Sequence, residues 1–125
     1  MDDIRKQQLE ALETMYGYNK KLKPAVSQLV KELREERKED TKEFLDMVCK
    51  GINWVIQVTN KTMDLLNKKE VVVEKEVVNE YVLNINSAYA KQDDLQLAEI
   101  LENNMLPFLE SLDGAVMELT GVQEN

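Results

Sequence analysis

Apolar residues recur in this chain at intervals of three and four, and this spacing limits the possible folds more than any other feature of the sequence. In the N-terminal part, one sector of the helical wheel holds Ile4, Ala11, Met15, Tyr18, Leu22, Val26, Leu29 and Leu33. An α-helix turns about 100° per residue, so this spacing places them all on one face. Gly17 and Asn19 weaken the middle of the pattern, and Pro24 suits the first turn of a new helix. We therefore expect the first helix to be broken or kinked between Tyr16 and Pro24.

Helical spacing also prevails over strand-like alternation in the middle of the chain. Residues 51–60 alternate between apolar and polar, yet from Phe44 to Leu66 eight apolar side chains share one sector of the wheel. The valines of residues 71–82 favour strands, but apolar residues recur there every four positions. We expect helices over residues 2–16, 24–38, 41–67, 70–91 and 94–119.

Pro107 lies inside the last of these helices, within the sequence ENNMLPFLES. The apolar phase is the same before and after the proline, which itself projects from the polar face. Because a helix that ended and restarted would lose this phase, we expect one helix that bends around the core with Pro107 on the solvent side. Asp93 or Asp94 is the expected N-cap of this helix.

These helices predict an all-α fold, an antiparallel bundle of the four-helix type with a divided first helix. The chain of 125 residues fits one domain, residues 1–125. Only four glycines and two prolines occur, which agrees with long helices and few turns.

Charge and cysteine content exclude several classes of function. The net charge is −8, and no lysine or arginine follows Gln92, so nucleic acid is not an expected partner. Cys49 is the single cysteine, which indicates a reducing compartment. No apolar run approaches the roughly 18 residues that span a membrane, and the N-terminus contains no apolar signal core. We expect a cytoplasmic protein without a membrane partner.

Residues that usually carry chemistry are scarce. The chain has no histidine, which removes His-based triads and His-assisted metal sites. Cys49 is expected to be a packing residue, and no glycine-rich phosphate loop occurs. We expect a protein that is not an enzyme and that binds no cofactor or metal.

One acidic stretch supports an enzymatic alternative. Residues 35–39, EERKE, and residues 43–46, EFLD, form the pattern E-E-x-x-E followed by E-x-x-D. This pattern resembles the carboxylate signature of all-α nucleotide pyrophosphohydrolases related to MazG and to dimeric dUTPases. The resemblance implies a magnesium-dependent hydrolase. The motifs face each other only if the chain reverses at residues 40–42, and the implied metal ligands are Glu35, Glu36, Glu39 and Glu43.

A second apolar stripe suggests a protein-binding surface on the helix predicted for residues 41–67. It consists of Met47, Trp54, Val58 and Leu65. The stripe is either core or a seam that accepts a second copy or an amphipathic helix. Glu99 and Glu102 are candidates for steering a basic partner to it.

The C-terminal half carries a second resemblance. Residues 79–112, NEYVLNINSAYAKQDDLQLAEILENNMLPFLESL, are similar to small all-helical proteins of Firmicutes, and part of this pattern resembles flagellar export chaperones. The resemblance implies a helical fold and a cytoplasmic location. The leading hypothesis is a non-enzymatic chaperone-like adaptor or a homodimeric scaffold that binds an amphipathic helix.

Overall fold

The computed structural model describes residues 2–121, and these residues form helices and turns without a β-strand. A π-helical turn, Leu101–Met105, joins the last two helices without a break. The α-helices are α1 (Asp2–Glu35), α2 (Thr41–Lys61), α3 (Met63–Leu66), α4 (Lys75–Ala90), α5 (Asp94–Ile100) and α6 (Leu106–Thr120). The prediction of an all-α fold is confirmed.

The first helix differs from the prediction. α1 is one continuous helix of 34 residues that contains Pro24, so the division into helices 2–16 and 24–38 is wrong. Asn19, expected to weaken the helix, is fully buried and donates a side-chain hydrogen bond of 2.9 Å to Asp113 on α6. Pro24 lacks an N–H, but Lys20, whose carbonyl loses its helical partner, is exposed to water. Tertiary contacts therefore override weak local preferences here.

The helices form four columns, which are α1, α2 with α3, α4, and α5 with the π-helical turn and α6. α1 packs against α2 on one side and against α5 and α6 on the other. α4 packs against α5 and the π-helical turn, and Tyr89 on α4 donates a hydrogen bond of 2.6 Å to Asp46 on α2. The apolar cluster between the columns includes Leu12, Met15, Leu29, Leu45, Leu97, Leu101, Met105 and Leu109.

The connection between α2 and α4 is less helical than predicted. α2 ends at Lys61 and residues 71–74 lack regular structure, so the helices expected over 41–67 and 70–91 are too long. The Asn67 side chain holds this connection. Its Oδ1 accepts hydrogen bonds from the backbone N–H groups of Val72 at 2.9 Å and Val73 at 2.8 Å. Its amide donates to the carbonyl of Val73 at 2.9 Å, so these backbone groups are satisfied outside a helix.

The last helical column agrees with the prediction around Pro107. Asp93 is the N-cap of α5 and accepts a hydrogen bond of 3.1 Å from the backbone N–H of Gln96. The helical path continues from Asp94 to Thr120, and Pro107 is exposed. The π-helical turn lies just before the proline, where the Leu106 N–H bonds to the carbonyl of Leu101. This wider turn carries the helix past a residue that cannot donate a backbone hydrogen bond.

None of the helices within residues 2–121 combines the length and the apolar character that crossing a lipid bilayer requires.

Candidate functional site

The four residues of the predicted binding stripe fall into two pairs. Met47 is 67% exposed and Trp54 is 37% exposed, whereas Val58 is only 8% exposed and Leu65 only 4%. Val58 and Leu65 belong to the core, so their predicted place in a contact surface is wrong. Leu65 lies on α3, which packs against α6, and Val58 lies on a face of α2 that the neighbouring helices cover. Only Met47 and Trp54 remain available to a partner.

Tyr18 on α1 joins this exposed pair. Its ring lies edge-on to Trp54, with 5.3 Å between ring centroids and 78° between ring planes. A Cβ atom at position 51 would collide with the Tyr18 hydroxyl oxygen, so Gly51 on α2 makes room for the tyrosine. Edge-to-face geometry is a favoured arrangement of aromatic rings. The sequence placed Tyr18 on the apolar face of the first helix. Gly51, within one turn of both Met47 and Trp54, is the sequence signal for this close approach.

A small apolar cavity lies beside these rings, between α1 and α2. Its volume is about 190 Å³, and it is lined by Tyr18, Lys21, Leu22, Ala25, Phe44, Met47 and Val48. We call this cavity, together with the adjoining Trp54, the α1–α2 groove. Cavities that enclose drug-sized ligands usually measure about 300–1,000 Å³. The groove therefore suits one or two side chains of a protein partner better than a whole small molecule.

Two lysines lie at the groove. Lys21 lines the cavity, and Lys50 lies on the same face of α2, within one turn of both Met47 and Trp54. Glu43 is one turn before Met47 and is the acid at that end. Lys21 and Lys50 make no ion pair with any residue in the described range 2–121.

The predicted steering acids do not adjoin the groove. Glu102 forms an ion pair of 2.9 Å with Arg34, where α1 packs against the π-helical turn. Glu99 is also exposed, and it lies on α5, which leads directly into this turn. The groove lies where α1 packs against α2 instead. The structure therefore separates Glu99 and Glu102 from Met47 and Trp54, and they do not form one contact surface.

The acids of the enzymatic alternative do not gather into a site. The chain does reverse between α1 and α2, but Glu35, Glu36, Glu39 and Glu43 are all exposed. Within the described part of the chain, no group of three or more acidic or cysteine side chains is arranged to hold a metal ion. The predicted magnesium ligands are therefore not brought together.

A different carboxylate organises this reversal. Glu32 is buried, and its two oxygens accept hydrogen bonds from the Thr41 hydroxyl at 2.8 Å and the Gln28 amide at 3.1 Å. The Thr41 hydroxyl also accepts from the backbone N–H of Lys38 at 2.7 Å. The hydrogen bond from Thr41, followed by that from Gln28, lowers the pKa of Glu32. This set of contacts joins the end of α1 to the start of α2, which indicates a structural role.

Cys49 lies half-buried between α2 and α4, as a packing residue would. It lines a cavity of about 140 Å³ with apolar neighbours that include Ile52, Ile56 and Ile85. Burial raises the pKa of the Cys49 thiol. A raised pKa keeps the sulfur protonated at neutral pH, and the thiolate is the reactive form of cysteine.

The fold and the groove define a class, an all-α protein that presents two aromatic rings and a methionine between neighbouring helices. The chain belongs to the family described as a domain of unknown function (DUF8042), whose model matches residues 10–114. The matched span includes every residue of the α1–α2 groove. No curated protein and no solved structure matches the chain significantly.

Proposed function

We propose that this protein acts by contact rather than by catalysis, as a chaperone-like adaptor that holds the apolar face of an amphipathic helix in the α1–α2 groove. The observation that carries the proposal is the exposure of Met47 and Trp54 beside Tyr18. Single exposed apolar residues are common on folded proteins. Three large neighbours around an apolar cavity are less common, and tryptophan and tyrosine dominate the energetics of protein interfaces.

The side chains around the cavity suit recognition of a helix. Helical ligands insert anchors spaced three, four and seven residues apart into apolar grooves. Methionine adapts its shape to different anchors because its side chain is unbranched and flexible. Tyr18 and Trp54 offer rigid rings that lose little conformational entropy on binding.

The size of the groove sets the expected strength of the complex. Full burial of one large apolar side chain contributes about 1.5–3 kcal/mol, whereas micromolar affinity requires about 8 kcal/mol. One anchor in a cavity of about 190 Å³ does not reach that value. The complex therefore depends on several contacts along α1 and α2, and we expect it to be transient. A cytoplasmic location is part of the proposal and rests on the cysteine content of the sequence.

Site-specific photo-crosslinking in cells of the native host tests the proposal. A benzophenone amino acid at Met47 is compared with the same amino acid at Leu83 on α4, because both positions are 67% exposed. We expect a defined adduct from position 47 alone, with the crosslinked peptide in a helical segment of another protein.

A crosslink from position 47 to a second copy of this protein would favour the homodimeric scaffold over the adaptor. No adduct, or the same adducts from positions 47 and 83, would contradict a specific groove partner. The magnesium-dependent hydrolase is not proposed, because its four acids are not brought together.

A further inference from the structure

We infer that the helix bound in the α1–α2 groove carries acidic residues beside its apolar face. The inference rests on the proposed function and names the chemistry of the partner. Its basis is the charge left unpaired at the groove, where Lys21 lines the cavity and Lys50 lies between Met47 and Trp54 on α2.

Three cations on α1 and in the following loop form ion pairs within the chain. Arg34 pairs with Glu102 at 2.9 Å, Arg37 with Asp94 at 2.6 Å, and Lys23 with Asp113 at 2.7 Å. Among the described residues, the two lysines at the groove have no such acid. Their positive charge is therefore available to an external carboxylate.

The net charge of −8 does not outweigh this local effect. At physiological ionic strength, charges are screened beyond about 8 Å, so the lysines that touch the partner matter more than acids on distant helices. Each exposed ion pair increases affinity by up to about five-fold. Two such pairs of about three-fold each give a preference of about ten-fold for acidic over neutral flanks, and a larger one over basic flanks.

Glu43 determines at which end of the groove the acidic residues of the bound helix lie. It lies one turn before Met47, at the end of the groove away from Trp54. Like charges at contact are unfavourable, so the acidic residues of the partner lie over Lys21 and Lys50 and not over Glu43. This differs from the basic partner expected from Glu99 and Glu102, which lie away from the groove.

Two synthetic peptides test the inference. Both are amphipathic helices with the same apolar residues and no tryptophan, and the flanking positions are glutamate in one and lysine in the other. Trp54 is the single tryptophan of the protein, so its fluorescence reports occupancy of the groove directly. We expect the glutamate peptide to bind at least ten-fold more tightly at low salt, with an advantage that shrinks as salt is added.

Charge reversal provides the matched control. The double variant Lys21→Glu with Lys50→Glu is expected to lose the preference for the glutamate peptide. The double variant Lys31→Glu with Lys91→Glu changes the net charge equally at two exposed lysines outside the groove, and it should keep the preference.

Equal binding of both peptides, or tighter binding of the lysine peptide, would overturn the inference and leave the proposed function standing. If the groove variant keeps the preference, the inference is also overturned. If neither peptide changes the Trp54 emission, the inference and the proposed function both fall.

Discussion

The side-chain amide of Asn19 donates a hydrogen bond of 2.9 Å to the carboxylate of Asp113, joining the middle of α1 to α6 across 94 residues of sequence. The same carboxylate forms an ion pair of 2.7 Å with Lys23. Asn19 is fully buried, and its side-chain carbonyl oxygen has no hydrogen-bond partner among residues 2–121. This contact explains why α1 continues through a residue that weakens an isolated helix.

We expect Asn19→Ala to lower the free energy of unfolding by about 1–3 kcal/mol, because it removes a donor from a buried carboxylate. Urea unfolding of both proteins measures the difference. Asn53→Ala, at an exposed position of α2, is the control and should change the stability by less than about 0.5 kcal/mol. Equal stability of Asn19→Ala and the parent would show that the hydrogen bond does not stabilise the fold.

Gly17 and Gly51 should respond to alanine in different ways. At Gly17 on α1 an added Cβ meets nothing within 4 Å, so Gly17→Ala should stabilise the protein by about 0.5–1 kcal/mol through helix propensity. At Gly51 the added methyl displaces the ring of Tyr18. Loss of the edge contact with Trp54 costs about 0.5–1.5 kcal/mol and should cancel the gain from propensity.

Urea unfolding and Trp54 emission measure both glycine variants. We expect Gly51→Ala to shift the emission to longer wavelength, since the ring that shields Trp54 moves away, and Gly17→Ala to leave it unchanged. The same stabilisation in both variants, with unchanged emission, would argue against the close approach of Tyr18 to α2.

Gln92 connects α4 to α5 in a left-handed conformation, with φ of 56°. The N–H of Asp93 bonds to the carbonyl of Ala88 at 2.9 Å, which ends α4 in a motif that usually has glycine at the position of Gln92. A residue with a side chain costs about 1–2 kcal/mol in this conformation, and glycine avoids that cost. Part of the gain is offset because glycine gives the unfolded chain more conformational freedom. We expect Gln92→Gly to raise the stability by about 0.5–1 kcal/mol.

Gln96→Gly is the control for this prediction, because Gln96 is exposed inside α5. Glycine there should lower the stability by about 1 kcal/mol. Thermal and urea unfolding of both variants check the opposite signs, and destabilisation by Gln92→Gly would contradict the left-handed turn.

The buried carboxylate of Glu32 should make stability depend on pH. Hydrogen bonds from Thr41 and Gln28 lower its pKa below the ordinary value of 4.5. The unfolded chain therefore takes up a proton at a higher pH than the folded chain. The stabilisation is fully present above the ordinary value and is lost as the pH falls through the lowered pKa of the folded state.

Urea midpoints measured from neutral to acidic pH test this dependence. Thr41→Val removes the main cause of the shift and should flatten the profile, while Glu32→Gln should remove this component entirely. An unchanged profile in both variants would show that Glu32 does not contribute to acid sensitivity.

The spacing of apolar residues predicted the helices correctly where the local sequence pattern and the tertiary packing agree. It predicted the helical state of the valine-rich α4 and the outward position of Pro107 in an uninterrupted last column. It failed at Asn19, because the residue that stabilises α1 there lies on α6. It also failed at residues 71–74, because a wheel does not show that Asn67 binds the backbone of Val72 and Val73.

The binding surface was predictable only in part. Helical spacing gives the face on which a residue lies, but it does not show which neighbour covers that face. Met47 and Val58 therefore shared one predicted stripe, although the first is exposed and the second is buried. Tyr18 likewise shares the apolar face of α1 with buried residues, although its ring lies at the exposed edge beside Gly51.

The π-helical turn at Leu101–Met105 makes this part of the chain tolerant of a change in length. Such a turn holds one residue more than an α-helical turn, while the flanking helices keep their faces. Removal of one residue from it places Pro107 inside ordinary α-helical turns, where a proline costs about 3 kcal/mol, but it keeps Asp113 directed at Asn19. A deletion in the middle of α2 instead rotates everything beyond it by about 100°. A chain of this fold that is shorter by a single residue is therefore most easily accommodated immediately before Pro107.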